Sequence, residues 1–140
     1  MSARSFLDTN ILVYSDDEAL PAKQRRALDL IAEHRRARTG VVSLQVLQEY
    51  FVTVTRKLRI DDRTARRKVE LFAEFDVASP SVGDVLAAID LHRLHGFSFW
   101  DALIRRSAKE AGCAVLLTED FQDTREIDGI RISNPFSKMK

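Results

Sequence analysis

The chain opens with a short apolar run, Phe6-Leu7, broken by Asp8, Thr9 and Asn10 and resumed by Ile11, Leu12, Val13 and Tyr14. This pattern predicts a buried strand that ends at Asp8 and turns into a helix near Thr9 or Asn10. After the acidic loop Ser15-Asp16-Asp17-Glu18, Pro21 opens a second helix, a position where proline is tolerated. Ala27, Leu28, Ile31 and Ala32 have the spacing of its inward face. Its end carries Arg35, Arg36 and Arg38, cations that complement the helix dipole. Val41-Val42 beside Gly40 predicts a strand, and Ser43 is placed to cap a long helix. Leu44, Leu47, Tyr50, Phe51, Val54 and Leu58 form the apolar stripe of that helix.

Asp61 or Asp62 caps the next helix, with Ala65, Val69, Phe72 and Ala73 inward and Arg63, Arg66, Arg67 and Lys68 mostly outward. Val77-Ala78 reads as a short strand. Ser81 and Asp84 form a capping box, and the helix behind them carries Val85, Leu86, Ala88, Ile89 and Leu91 as far as Gly96. Ser98 and Asp101 repeat the pattern, opening a helix that stops at Gly112. A continuous apolar strand, Ala114–Leu117, ends in Thr118-Glu119-Asp120, and Ile130–Ile132 is a last short strand. Strands alternating with helices predict an α/β fold with a parallel sheet covered on both sides.

Composition narrows the class. With 140 residues, 45% hydrophobic, the chain suits a single domain with a real core, and it shows no repeat or linker. A net charge of +1 does not by itself point to nucleic acid or membrane, so only local clustering of charge can carry such a claim. Cys113 is the single cysteine, which excludes an internal disulfide and fits a reducing cytosol. No signal peptide is expected, and no apolar run approaches the roughly 20 residues of a spanning helix.

Asp8 and Asp120 stand out because each closely follows a predicted buried strand. Parallel strands bring such positions to one sheet edge, where ligands of open α/β folds bind. Carboxylates gathered there need a compensating charge, and a hard divalent cation with oxygen ligands would supply it. Two readings of Asp8 stand side by side: metal ligand and helix cap. On spacing alone, Asp101 reads as a capping-box residue and Glu49 as a solvent-facing glutamate.

Four segments change that reading: Phe6-Leu7-Asp8-Thr9-Asn10, the helix start from Ser43 through Glu49 to Phe51, Trp100-Asp101-Ala102-Leu103-Ile104, and Leu116-Leu117-Thr118-Glu119-Asp120. In this order and spacing they resemble PIN-domain ribonucleases, more narrowly the VapC-type toxins of bacterial toxin–antitoxin pairs. The resemblance runs from Phe6 to Asn134-Pro135-Phe136. It implies a three-layer α/β/α sandwich with a mainly parallel sheet, one PIN domain over residues 1–140. It also implies a metal-dependent endoribonuclease whose Asp8, Glu49, Asp101 and Asp120 bind Mg²⁺ or Mn²⁺. The pattern Thr, any residue, Asp selects Asp120, with Glu119 and Asp123 as neighbours able to substitute. Asn10 and Thr118 match polar positions that support the acids, and Ser43 either does the same or only caps its helix. The implied setting is cytoplasmic, with an RNA substrate, a cognate antitoxin that blocks the site, a homodimer and no membrane.

Two other functions are weighed. An aspartyl-nucleophile phosphatase needs a second Asp two residues after the first, where this chain has Asn10. A catalytically inactive PIN-like RNA- or protein-binding module would have lost acids that are all present here. Among cations, Arg105 and Arg106, a turn beyond Asp101, are the candidates for phosphate contact. The other basic groups read as solvated helix faces. His92 and His95 read as helix-end residues meeting free carbonyls, Cys113 as a packed thiol, and Trp100 as a buried ring.

Overall fold

The computed structural model describes residues 3–121 and 126–138. Its elements are β1 (Arg4–Leu7), α1 (Thr9–Tyr14), α2 (Pro21–Ala37), β2 (Gly40–Ser43), α3 (Leu44–Arg56), α4 (Asp62–Phe72), β3 (Asp76–Ala78), α5 (Val82–His95), α6 (Phe99–Glu110), β4 (Cys113–Leu117) and β5 (Arg131–Ser133). The five strands form one sheet in the order β3-β2-β1-β4-β5, and every pairing is parallel.

The sheet order follows from burial. Phe6 and Leu7 of β1 and Leu116 and Leu117 of β4 are buried, as is every residue of β2, so these strands take the centre. The edge strand β3 is exposed or half-buried throughout. Helix α1 packs on α2 and α3, α3 packs on α4, and α2 and α3 meet β2, while α5 and α6 pack on each other and α6 meets β2, β3 and β4. Crossovers between parallel strands are right-handed, and the chain moves outward from β1 to β3 before returning to β4. The two helix groups therefore lie on opposite faces, giving the α/β/α sandwich expected from the sequence. No helix among the described residues is long and apolar enough to cross a membrane.

The predicted helix starts are present with their caps: Ser43 accepts from the Val46 amide, Asp61 from Arg63 and Thr64, and Ser81 and Asp84 bond reciprocally. Gly96, at φ 76°, ends α5 in the left-handed conformation that a side chain would resist. Several inward positions differ from the sequence reading. Ala27 and Ile31 of α2 face the core as expected, but Leu28 and Ala32 are exposed and Leu30 is buried instead, because the packed stripe runs through 27, 30 and 31. Leu44 and Ala73 are exposed at helix ends, where the stripe runs past the packed surface. Trp100, expected to be buried, is 61% exposed, because the pocket beneath the start of α6 is filled by Phe97, Ala102 and Leu103 with Phe99 packed against them.

Candidate metal-binding active site

The direction of the chain reverses between β1, which continues to β2, and β4, which lies on the other side of β1. The crevice outside the carboxyl ends of such strands is where ligands bind in this class of sheet. Leu7 pairs with Leu117, so Asp8 and Thr118 leave the sheet side by side. Their backbones are fixed: the Asp8 amide donates to Leu117 O at 3.0 Å and the Thr118 amide to Ser133 O at 3.0 Å.

Asp8 caps α1 and also bonds to Thr118 at the end of β4. One oxygen accepts from the Thr9 amide at 2.7 Å, and the other accepts from the Thr118 hydroxyl at 2.8 Å. It is 7% exposed. Burial pushes its pKa up to about 6, the Thr118 and Thr9 bonds work against that rise, and the charges of Asp120 and Glu49 add to it. The groups that hold its pKa down are a hydroxyl and an amide, with no cation among them.

Asn10 joins Asp8's surroundings to Asp120. Its amide nitrogen donates to Asp120 Oδ2 at 3.0 Å and reaches Thr118 Oγ1 at 3.3 Å, while its oxygen accepts from the Glu119 amide at 3.2 Å. Thr118 Oγ1 also accepts from the Asp120 amide at 3.1 Å. Asp120 thus stands at the crevice. Glu119 turns away from it, pairing with Lys23 at 2.7 Å and accepting from the Tyr14 hydroxyl. Asp123 lies outside the described residues.

Asp120 lines two recesses. One, of about 340 Å³, also contains Asp101, His95, Phe97, Ser98, Arg105 and Phe121. The other, of about 300 Å³, also contains Asn10, Tyr14, Glu49 and Lys57. Asp101 is half-buried on the first turn of α6; burial raises its pKa, a bond from Ser98 and the charge of Arg105 lower it, and Asp120 raises it again. Glu49 is exposed on α3 and accepts from Gln45 at 2.9 Å, yet its charge reaches Asp8. Ser43 is buried at the end of β2, where its hydroxyl accepts from the Val46 amide.

The two arginines expected at phosphates differ in their surroundings, and Arg105 lines the recess of Asp101 and Asp120. Arg105 is 5% exposed, its guanidinium 4.0 Å from the Phe97 ring centroid and 5.0 Å from that of Phe121. Arg106 is held by Asp84 at 2.9 Å and by Glu110 at 3.0 Å. His92 Nδ1 lies 2.5 Å from the Phe97 carbonyl and His95 stacks on the Phe97 ring, which matches a helix-end role. Spacing could not reveal the Phe97–Arg105–Phe121 stack or the Lys23–Glu119 pair, since their partners are distant in sequence or on separate elements.

The acids around the crevice offer hard oxygen donors, which suit Mg²⁺ or Mn²⁺ rather than a thiolate- or imidazole-seeking metal. Asp8 fits such an ion because its buried carboxylate accepts from an amide and a hydroxyl, neither of which carries charge. Among the described residues no three of these acids close on a common point.

An all-parallel sheet with carboxylates gathered at its reversal point defines the class as an α/β protein with an acidic crevice. More narrowly, residues 5–129 match the model of the PIN domain, and the chain belongs to that family of nucleases. Comparison with curated protein sequences gave no match. Among solved structures, the chain resembles Mycobacterium tuberculosis VapC20, a sarcin–ricin loop cleaving toxin, with 19% identity over 80% of this chain and 86% of that one and a TM-score of 0.65. It also resembles a chain of a toxin–antitoxin complex from Klebsiella pneumoniae, with 19% identity, coverage of 94% and 97%, and a TM-score of 0.67. A third likeness is to a chain of Rickettsia felis VapBC2 bound to a DNA fragment from its promoter, with 20% identity, coverage of 93% and 97%, and a TM-score of 0.62. The chain therefore has the fold of VapC toxins.

Proposed function

We propose that this protein is a metal-dependent endoribonuclease and the toxin of a toxin–antitoxin pair, with residues 1–140 forming one catalytic domain. The observation that carries this reading is the network joining Asp8, Thr118, Asn10 and Asp120 at the crevice. Asp8 and Asp120, with Asp101 and Glu49 at the rim, would hold Mg²⁺ or Mn²⁺. When bound, such an ion supplies Lewis acidity toward a phosphodiester. Thr118 keeps one Asp8 oxygen oriented, and Asn10 fixes the carboxylate of Asp120. Glu49 or Asp120 orients the attacking water and takes its proton. Arg105, in the recess that Asp101 and Asp120 share, offsets charge brought in by RNA.

RNA cleavage by the pure protein should require added Mg²⁺ or Mn²⁺ and stop in excess EDTA. Gel analysis of an RNA mixture reads this directly, and full cleavage in EDTA would sink the metal mechanism.

The toxin role places the protein in the cytoplasm with a protein antitoxin and a second copy of itself. It draws on the likeness to toxin chains and on exposed apolar side chains of α5, Val82, Leu86 and Leu94, which suit protein contact. Expression alone should arrest growth, and co-expression of the neighbouring small antitoxin should relieve the arrest. Normal growth with abundant active enzyme would count against it.

A further inference from the structure

Glu119 and Asp120 are successive acids leaving β4, yet they point to different places. Both Glu119 oxygens are occupied: Lys23 Nζ lies 2.7 Å from Oε2, and the Tyr14 hydroxyl donates to Oε1. Lys23 is itself located by several contacts. Its Nζ is 3.3 Å from the Tyr14 hydroxyl, 4.8 Å from the Tyr14 ring centroid and 5.8 Å from that of Phe136. Phe136 meets Tyr14 edge-on at 5.0 Å. The side chains of Lys23 and Glu119 are 28% and 23% exposed, so the pair is more shielded than a surface ion pair. On its other side the same turn is held by Asn10, which binds the Glu119 amide and the Asp120 carboxylate.

We infer that Lys23 is a positioning residue: by holding Glu119 toward α1 and α2, it sets the orientation in which Asp120 meets the metal. This deepens the metal-dependent reading above and rests on it. Two physical consequences follow from losing the Lys23 charge. The turn at Glu119 and Asp120 loses its one charged anchor among the described residues and keeps the hydrogen bonds of Asn10, Thr118 and Tyr14. The released Glu119 carboxylate, one residue from Asp120, is free to displace it as a ligand in a geometry the crevice does not hold in place, a loss that outweighs the Coulomb attraction its added charge offers the ion. Tyr14 alone cannot neutralise that carboxylate, since a hydroxyl contributes a hydrogen bond and no charge.

The test uses Lys23→Met, which keeps an apolar stem over the Tyr14 and Phe136 rings, together with Lys23→Arg and the double variant Lys23→Met/Glu119→Gln. Two quantities are read without RNA: amide hydrogen exchange at Glu119 and Asp120 in the metal-free protein, and the Mn²⁺ dissociation constant by calorimetric titration. In Lys23→Met, exchange at both amides should accelerate and Mn²⁺ binding should weaken about tenfold, the lower end for groups that support a metal ligand. Lys23→Arg should restore both. The double variant should recover much of the affinity, because it leaves no stray carboxylate; it also serves as the test protein should the single variant fail to fold. Wild-type exchange and Mn²⁺ affinity in Lys23→Met would overturn the role of Lys23 while leaving the nuclease reading standing. Weakened binding that follows a general loss of melting temperature and is not repaired by Lys23→Arg would also overturn it. A wild-type protein that binds no Mn²⁺ would remove the metal site and this inference together.

Discussion

Helices begin on aspartates in two regions of this molecule, with opposite electrostatic results. Asp61 caps α4 and accepts from the Thr64 hydroxyl at 2.6 Å and from the Arg63 and Thr64 amides; the Thr64 hydroxyl bond leads in pulling its pKa down. Asp84, on the first turn of α5 beyond the edge strand, accepts from the Ser81 amide at 2.9 Å and from Arg106, and its pKa also falls. Asp8 and Asp101 occupy the same kinds of cap position, at α1 and α6, but their pKa values rise because burial outweighs their hydrogen bonds and Asp120 repels them. A cap motif therefore does not decide what an aspartate is for. Where amides, hydroxyls and an arginine satisfy the charge, the acid stabilises a helix end. Where burial and like charge exceed those contacts, the acid keeps a charge that a bound cation would relieve.

Substituting one residue from each region gives the largest contrast. Asp8→Asn should lower RNA cleavage by more than about 100-fold, beyond the range for residues that only support a ligand. Asp61→Asn should leave cleavage near wild type, since Asn caps a helix about as well as Asp. Rates of both variants under saturating Mn²⁺ check this, and similar modest losses in the two would erase the distinction.

The pH dependence of stability sharpens the same comparison. The Asp8 pKa is about 6 in the folded protein against an ordinary 3.8. Between those values the folded state holds a proton that the unfolded chain releases, so stability falls as pH rises through this window. The loss is on the order of 3 kcal/mol in EDTA, from the free energy of one pKa unit applied to the rise from 3.8 to about 6 in a buried group. Asp61 acts with the opposite sign: its lowered pKa contributes stability that is present above its ordinary value and lost as pH falls. Urea unfolding of wild type and Asp8→Asn from pH 4 to 7 should show the decline in wild type and a flatter curve in the variant. Parallel curves would mean that Asp8 is not electrostatically strained.

Much of the fold was legible because local signals agreed. Phe6-Leu7 and Leu116-Leu117 are apolar runs closed by polar residues, and their parallel pairing carries Asp8 and Thr118 to one place. Ser43, Ser81 and Ser98 marked helix starts correctly because capping is a local interaction. What failed depends on tertiary packing. The inward face of α2 shifted from Leu28 to Leu30, and Trp100 stayed outside because Phe97 and Leu103 fill the space below it. Arg105, on an otherwise buried helix face, is enclosed by Phe97 from the preceding loop and Phe121 from beyond β4. At the candidate site, spacing suggested Asp120, and only the fold displays Lys23 and Tyr14 engaging Glu119 across about a hundred residues of chain. Asp101 and Glu49 became candidates through family resemblance, since a capping residue and an exposed glutamate carry no distinguishing local signal.

Thermal unfolding of wild type and Asp8→Asn, with and without Mn²⁺, decides whether Asp8 belongs to a metal site. Wild type should gain about 2.7 kcal/mol at a Mn²⁺ concentration 100 times its dissociation constant. Asp8→Asn, equally or more stable than wild type in EDTA, should gain much less at that concentration. An equal Mn²⁺-induced gain in both proteins would remove Asp8 from the metal site and return it to the role of a helix cap.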